Sequence, residues 1–345
     1  MLNHVRTRRD YPKGKIIRLE LTSSLLDDNP WGDPVTRQLP VYLPPGYETD
    51  DCDYPLLVDL VAFTGAGPAH VNWEAFKETL PQRLDRLIAE GKMGPAICLF
   101  PDCFTSLGGN QYIDSTATGA YASHLLKEIL PFAESKLRIR PGPQHRAVFG
   151  KSSGGYGALM QGMHHGDQWA AIACHSGDCH FDLVYRGDMP IAMNTLARHE
   201  GDVLRFLRTF WRKEKPSGAD IHTLMLICMA ASYDPDPSAP LGFHLPFDLH
   251  TGELLEERWL RWKAHDPIEQ VEYTADSLKS LKGLFIDCGR QDQYNIHFGT
   301  RLLSRRLRQA GVAHVHEEFE GTHSGIDHRM DISLPFLYRC INGAT

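Results

Sequence analysis

No run of eighteen apolar residues occurs anywhere in this chain, so no membrane-spanning helix and no membrane partner are expected. Nor do the eight cysteines (Cys52, Cys98, Cys103, Cys174, Cys179, Cys228, Cys288, Cys340) form a Cys-x-x-Cys pair, which argues against zinc ribbons and dithiol redox motifs. Several of them fall inside apolar strand-like runs, and buried free thiols are the reading. Long runs of like charge are missing too. With a net charge of −7 and a pI near 6.2, the surface is not one built for phosphate backbones, and no nucleic-acid partner is expected. Residues Met1 to Pro12 are polar and basic with no apolar stretch behind them, so no signal peptide is expected and the protein reads as soluble and cytoplasmic. Repeats and low-complexity tracts are absent. What is present is 345 residues with 42% hydrophobic content, enough for a sizeable core. Length alone allows two average domains, or one large domain with an insertion.

The pattern favours the second. Ile16 to Leu21 and Leu39 to Leu43 read as two early strands, the second closed by Pro44-Pro45-Gly46, forming an antiparallel edge. Leu56 to Phe63, Ala96 to Phe100, Ala147 to Phe149, Ala170 to Cys174, Leu284 to Cys288 and His314 to Phe319 then read as strands, mostly continuous apolar runs as buried parallel strands require. Helical patterns separate them at Trp73 to Glu90, Tyr121 to Leu137 and Ala158 to Met163, and along a face marked by Phe298, Leu302, Leu303, Leu307 and Ala310 that ends at Gly311. This alternation implies an α/β fold: a mostly parallel, doubly wound sheet with its active loops at the carboxyl ends of the strands.

One stretch, about 181–281, breaks the rhythm with Pro-rich turns and helical pieces around Asp202 to Trp211 and Glu253 to Lys263. It reads as a cap-like insertion within a single domain spanning 1–345. Three of the six tryptophans (Trp211, Trp259, Trp262) lie in it, with Phe206, Phe210, Phe243 and Phe247. Most of these aromatics are expected to form the insertion's own small core; the sharper reading is a lid over the site, and the same surface would suit a homo-oligomer contact.

Gly150-Lys151-Ser152-Ser153-Gly154 carries the chemistry, because it lies between the apolar run Ala147-Val148-Phe149 and a helix-compatible run starting at Gly155. A serine on a tight strand-to-helix turn has its hydroxyl pushed above the sheet edge, and the turn closes only if residues two before and two after lack side chains. Ser152 is therefore the candidate nucleophile. A serine hydroxyl needs a histidine to take its proton and a carboxylate to set that histidine's tautomer. Gly321-Thr322-His323-Ser324-Gly325 follows the last expected strand, and its position selects His323 among eighteen histidines. In Leu284-Phe285-Ile286-Asp287-Cys288-Gly289-Arg290-Gln291-Asp292, Asp292 lies in the loop beyond the strand and can turn toward the histidine; Asp287, still inside the strand, is read as structural. The tetrahedral intermediate needs backbone donors: Ser153 after the nucleophile, and Phe63 or Thr64 in Phe63-Thr64-Gly65-Ala66-Gly67. The segment from Cys174 to Asp182 is rich in ligand-type side chains, but its spacing fits no metal motif, so neither a metal nor an organic cofactor is expected.

Phe63-Thr64-Gly65, Pro101-Asp102, Gly150 to Ala158, Gly289-Arg290-Gln291-Asp292 and Gly321-Thr322-His323 together resemble the esterase family that includes esterase D (S-formylglutathione hydrolase), enterochelin esterases, feruloyl esterases and mycolyl transferases, all α/β-hydrolases. The resemblance runs in outline from Pro55 to the C-terminus. It implies Ser152 as nucleophile, Asp292 as acid, His323 as base, and Phe63 and Ser153 as oxyanion donors. Val61-Ala62 departs from it where the family usually shows His-Gly, and Lys151 stands where a histidine is more common. The expected activity is hydrolysis of a small-molecule ester, with a thioesterase or acyl transferase as the variant within the class. A ligand-binding protein on a hydrolase scaffold is the alternative outside it.

Overall fold

The computed structural model describes residues 11–343; most of the basic N-terminal stretch from Met1 lies outside them. Eight strands form one sheet: β1 Lys15–Thr22, β2 Thr36–Leu43, β3 Leu56–Leu60, β4 Ile97–Leu99, β5 Arg146–Lys151, β6 Ala171–His175, β7 Gly283–Gly289 and β8 Val315–Phe319. Their order across the sheet is β1-β2-β4-β3-β5-β6-β7-β8. β1 pairs with β2, and β2 with β4, antiparallel; every later pairing is parallel. β1 alternates between exposed and half-buried positions, as an edge strand should, whereas β3, β4, β6 and β7 are buried throughout. The β3 to β4 crossover reverses direction relative to β3 to β5, so the carboxyl ends of β3 and β5 lie side by side at the switch, where open α/β sheets bind ligands.

Helices cover both faces. α1 (Leu80–Ala89) and α10 (Met330–Ile341) pack on the side where Ala147, Phe149, Ala171, Ala173 and Phe285 point. The opposite face, with Val58, Val148, Ile172, Leu284 and Ile286, receives α2 (Tyr121–His124, a π-turn at Leu125–Ile129, and Leu130–Lys136), α3 (Ser153–His165), α8 (Pro267–Lys279) and α9 (Ile296–Gln309). Between β6 and α8 lie a short turn of helix at Phe181–Val184, then α4 (Met189–Ala197), α5 (Val203–Phe210), α6 (Gly218–Tyr233) and α7 (Glu256–Lys263). No described helix is long and apolar enough to cross a membrane.

Three differences from the sequence pattern have local causes. The helix expected from Trp73 starts only at Leu80, because Thr79 caps it: its hydroxyl accepts from Gln82 N–H while the Gln82 side chain accepts from Thr79 N–H. Phe298 is 47% exposed under the Arg301 guanidinium and does not join the buried stripe of α9. Residues 267–279 fall in the stretch that reads as an insertion from sequence, and α8 packs against α3 and α9. Its start is sharply encoded: Asp266 caps it through Ile268 N–H and Pro267 opens it. All eight cysteines are free; six are buried, Cys340 is half-buried and Cys52 is exposed.

The π-turn in α2 presents Glu128 to the turn between β1 and β2. The carboxylate accepts from the Ser23 and Ser24 hydroxyls, Ser24 and Leu25 N–H, and pairs with His124 Nδ1. Burial pushes the Glu128 carboxyl up, but these donors outweigh it and hold it at about 2, against the ordinary 4.5. The folded-state value is depressed, so the contribution is complete above the unfolded value and is lost as pH falls toward the folded one. Glu128→Gln should therefore melt several degrees below wild type at neutral pH. The gap should shrink steadily below about pH 4.5, read by thermal melts in a pH series.

Candidate active site

The carboxyl end of β5 turns into α3 at Ser152, whose backbone holds φ 55° and ψ −124°. A non-glycine residue in such a region costs about 1–3 kcal/mol, and it persists only where its surroundings over-determine it. Here they do. Ser152 N–H donates to His175 O at 2.9 Å, tying the turn to the end of β6, and Ser152 O accepts the first helical bond from Tyr156 N–H at 2.8 Å. A Cβ on Gly154 would lie 1.8 Å from Leu60 O, and one on Gly150 would lie 2.4 Å from the same atom. The glycines two before and two after Ser152 are thus required by the backbone of β3 passing beside the turn.

Phe63 follows β3 on the same edge. Tyr112 Oη donates to Val61 O at 2.8 Å, and a Cβ on Gly109 would lie 2.3 Å from Phe63 O, so the segment after β3 is gripped by the 109–112 loop. Phe63 N–H has no acceptor among the described residues, and Phe63 and Ser153 both line the cavity in front of Ser152.

His323 and Asp292 come from the loops after β8 and β7. Two backbone bonds join the loops, Arg290 N–H to Phe319 O and Gln291 N–H to Gly321 O, each 2.9 Å. Asp292 is 3% exposed; its Oδ2 pairs with His323 Nδ1 at 2.7 Å and its Oδ1 accepts from Tyr294 N–H at 2.9 Å. Burial raises the Asp292 carboxyl, and the His323 hydrogen bond and charge overcome it, so the group sits below the usual carboxylate range. His323 N–H donates to Gln293 Oε1 at 3.0 Å, and the Tyr294 ring meets the imidazole edge-on at 4.8 Å. Ser152, Ser153, Phe63 and His323 line one cavity of about 190 Å³, with Asp292 behind the imidazole. Ser152 Oγ makes no hydrogen bond to His323 in this structure; such contacts often tighten only when substrate is bound. An imidazole held at Nδ1 by a buried carboxylate keeps Nε2 free to accept a proton.

Asp287 behaves differently. It lies in β7, accepting from His175 Nδ1 and Arg329 Nε at 2.7 Å each, while His175 Nε2 meets Ser333 Oγ at 2.8 Å. This closed cluster is buried beneath α10, away from the cavity.

Residues 35–333 match the family model described as Putative esterase. The chain belongs to the Putative esterase family. It is a carboxylesterase-type hydrolase with an α/β-hydrolase fold. Among solved structures, this esterase is similar to a ferulic acid esterase at 22% identity and TM-score 0.63, covering 96% of this chain and 100% of that one. An S-formylglutathione hydrolase from Staphylococcus aureus aligns at 13% identity and TM-score 0.58, covering 94% and 99%. A fluorophosphonate-binding serine hydrolase from Staphylococcus aureus aligns at 14% and 0.57, again covering 94% and 99%.

The segment of the esterase between β6 and α8 supplies cavity wall that residue patterns did not single out: Val184, Tyr185, Ile221, His222 and Met225, joined by Tyr294 from the acid loop. The aromatics named from sequence go elsewhere. Trp259 and Trp262 are buried with Tyr185 and Tyr233, ring centroids 5.5–5.7 Å apart in the contacts to Trp262. Trp211 is half exposed, its Nε1 donating to Ser106 O. A second cleft of about 530 Å³ adjoins the cavity through Ala62, Thr64, Lys151 and Ser324, and reaches out to His70 and Asp327. Lys151, whose ammonium is lowered by burial, borders both.

The close approach of Gly154 to β3 gives a direct test. Gly154→Ala should cost more than about 2 kcal/mol in urea unfolding, since neither strand nor helix backbone can retreat. Gly187→Ala, with nothing within 4 Å, serves as the control and should stay within about 0.5 kcal/mol of wild type.

Proposed function

We propose that this chain is a serine carboxylic-ester hydrolase that works through an acyl-serine on a small or medium ester. The observation carrying the reading is that a strained, cavity-facing Ser152 shares its cavity with His323, whose Nδ1 is bound to the buried Asp292. Ser152 Oγ attacks the ester carbonyl while His323 Nε2 takes its proton. Negative charge develops on the carbonyl oxygen, facing the N–H groups of Ser153, at the start of α3, and Phe63; the helix end adds its positive pole. The imidazolium returns the proton to the departing alcohol. Water then attacks the acyl-serine with His323 as base, releasing the acid and restoring Ser152. Asp292 holds the imidazole tautomer and offsets the imidazolium charge without itself being protonated.

The cavity of about 190 Å³ suits a compact group, and the adjoining cleft of about 530 Å³ leaves room for a larger second half of the substrate. Hydrolysis of a thioester uses the same steps, and solved S-formylglutathione hydrolases share the fold, so leaving-group preference is a question for assay. A screen of p-nitrophenyl esters of increasing acyl length, beside a thioester and a feruloyl ester, answers it.

Wild type should react with a fluorophosphonate and Ser152→Ala should not. Asp292→Asn should fold normally and lose about 10³- to 10⁴-fold in kcat. Asp287→Asn should instead lower stability by about 3–5 kcal/mol, because the buried negative charge facing Arg329 and His175 is lost and only Glu317 still pairs with Arg329. A wild type that never labels, or Ser152→Ala labelling equally well, would overturn the esterase mechanism in favour of a binding protein.

A further inference from the structure

Asp178 is the one member of the ligand-rich segment after β6 that faces the candidate cavity. It is 6% exposed, and its Oδ2 accepts from Tyr185 Oη at 2.9 Å and from Gln111 Nε2 at 3.4 Å. Gln111 Nε2 also lies 3.2 Å from Ser153 Oγ, which ties the carboxylate to the residue after Ser152. Tyr185 is held in turn by the rings of Phe181 at 4.8 Å and Trp262 at 5.7 Å, so Asp178 is set in a rigid frame. Its second oxygen, Oδ1, has no partner among the described residues, yet it is not sealed from the cavity.

Two neighbouring carboxylates with an architectural role are satisfied at both oxygens, whereas the idle oxygens of Asp33, Asp59 and Asp188 are sealed from solvent, as that of Asp178 is not. Asp287 engages His175 through Oδ1 and Arg329 through Oδ2. Asp266 accepts from His180 and Ile268 N–H at Oδ1 and from Phe181 N–H at Oδ2. Burying a carboxylate with one oxygen idle is costly, and a carboxylate in a cavity wall with one accessible, unpartnered oxygen is what a binding site for a donor looks like. Burial pushes the Asp178 carboxyl above its ordinary range even after the Tyr185 bond draws it down.

The character of the donor follows from what else lines the cavity. Lys151 is there, and so is His222, whose Nδ1 lies 2.9 Å from the Asp188 carboxylate, which raises the His222 pKa. The Lys151 ammonium opposes a second ammonium in the same cavity. It does not oppose a neutral hydroxyl.

We infer that Asp178 determines substrate specificity: its free oxygen accepts a hydrogen bond from a hydroxyl on the part of the ester that enters the cavity beneath the insertion. The inference rests on the esterase mechanism above and deepens it, naming a hydroxylated substrate in place of a plain alkyl ester.

The test compares isosteric pairs in which a hydroxyl replaces a methyl. On the acyl side the pair is β-hydroxybutyryl against isovaleryl p-nitrophenyl esters; on the alcohol side it is hydroxypropyl against isobutyl butyrate. Wild type should favour the hydroxyl member of one pair in kcat/KM. That ratio should fall by on the order of 100-fold in Asp178→Leu, since the idle oxygen is then gone. Asp178→Asn, a weaker acceptor of the same size, should lower it by about 10-fold, and it carries the test if the leucine variant does not fold. Fluorophosphonate labelling of each variant reports whether Ser152 is still properly held. An active, labelled wild type with no hydroxyl preference in either pair, or variants that keep the preference, overturns the role of Asp178 alone. A wild type that neither labels nor hydrolyses removes the esterase mechanism and this role together.

Discussion

The backbone crossing at Leu60, Gly150 and Gly154 is the constraint on which the rest depends. Leu60 O lies where a side chain on either glycine would stand, so β3, β5 and the first turn of α3 meet with no space between them. This contact lets the chain turn from strand to helix in one residue and leaves that residue, Ser152, at positive φ. It also draws the Phe63 and Ser153 ends of two neighbouring strands to one cavity. A side chain at either glycine would part the elements and relax the turn. The strain and the convergence of groups are two results of one close contact.

Two carboxylates nine tenths buried or more, five residues apart in sequence, show how the sheet sorts electrostatics by position. Asp287 is inside β7, where side chains project into the helical layers, and it is consumed by His175 and Arg329, which in turn engage Ser333 and Glu317. Asp292 is past the strand end, where the loop can turn its carboxylate to His323. Both sit below the usual carboxylate range for the same reason: burial raises them and a cationic or hydrogen-bonding partner more than reverses it. Only Asp292 has a partner that borders a cavity. A perturbed carboxylate therefore marks function here only in combination with place.

Much of this could be read from residue order. The Gly-x-Ser-x-Gly context, the loop position of Asp292 and the His323 loop after the last strand pointed to groups that the tertiary structure gathers, because a strand followed by a loop puts the loop's residues at the sheet edge whatever the details. Cap signals escaped the periodicity: Thr79 delays α1 past Trp73, and Asp266-Pro267 begins a helix inside what looked like continuous insertion. Trp259 and Trp262 pack inward, as expected of most aromatics in that stretch, and the cavity wall is made by Val184, Ile221, His222 and Met225, which no residue pattern singles out. Hydrophobicity shows that a residue is to be buried without showing which of two apolar surfaces will bury it.

By itself the sequence determined the α/β class, the strand carrying the turn at Ser152 and the candidate roles of His323 and Asp292, since glycine placement and strand–loop order act over a few residues. Tertiary structure alone decided which side chains between β6 and α8 line the cavity at Ser152, how the segment after β3 is gripped by the 109–112 loop, and that Asp178 is left with one oxygen idle. Those outcomes depend on how far-apart segments pack against one another: Tyr112 on Val61, Gly109 on Phe63, and Tyr185 and Gln111 on Asp178. Local propensity is blind to such pairings, because the physics that selects them is close packing and hydrogen-bond satisfaction in a fold already formed.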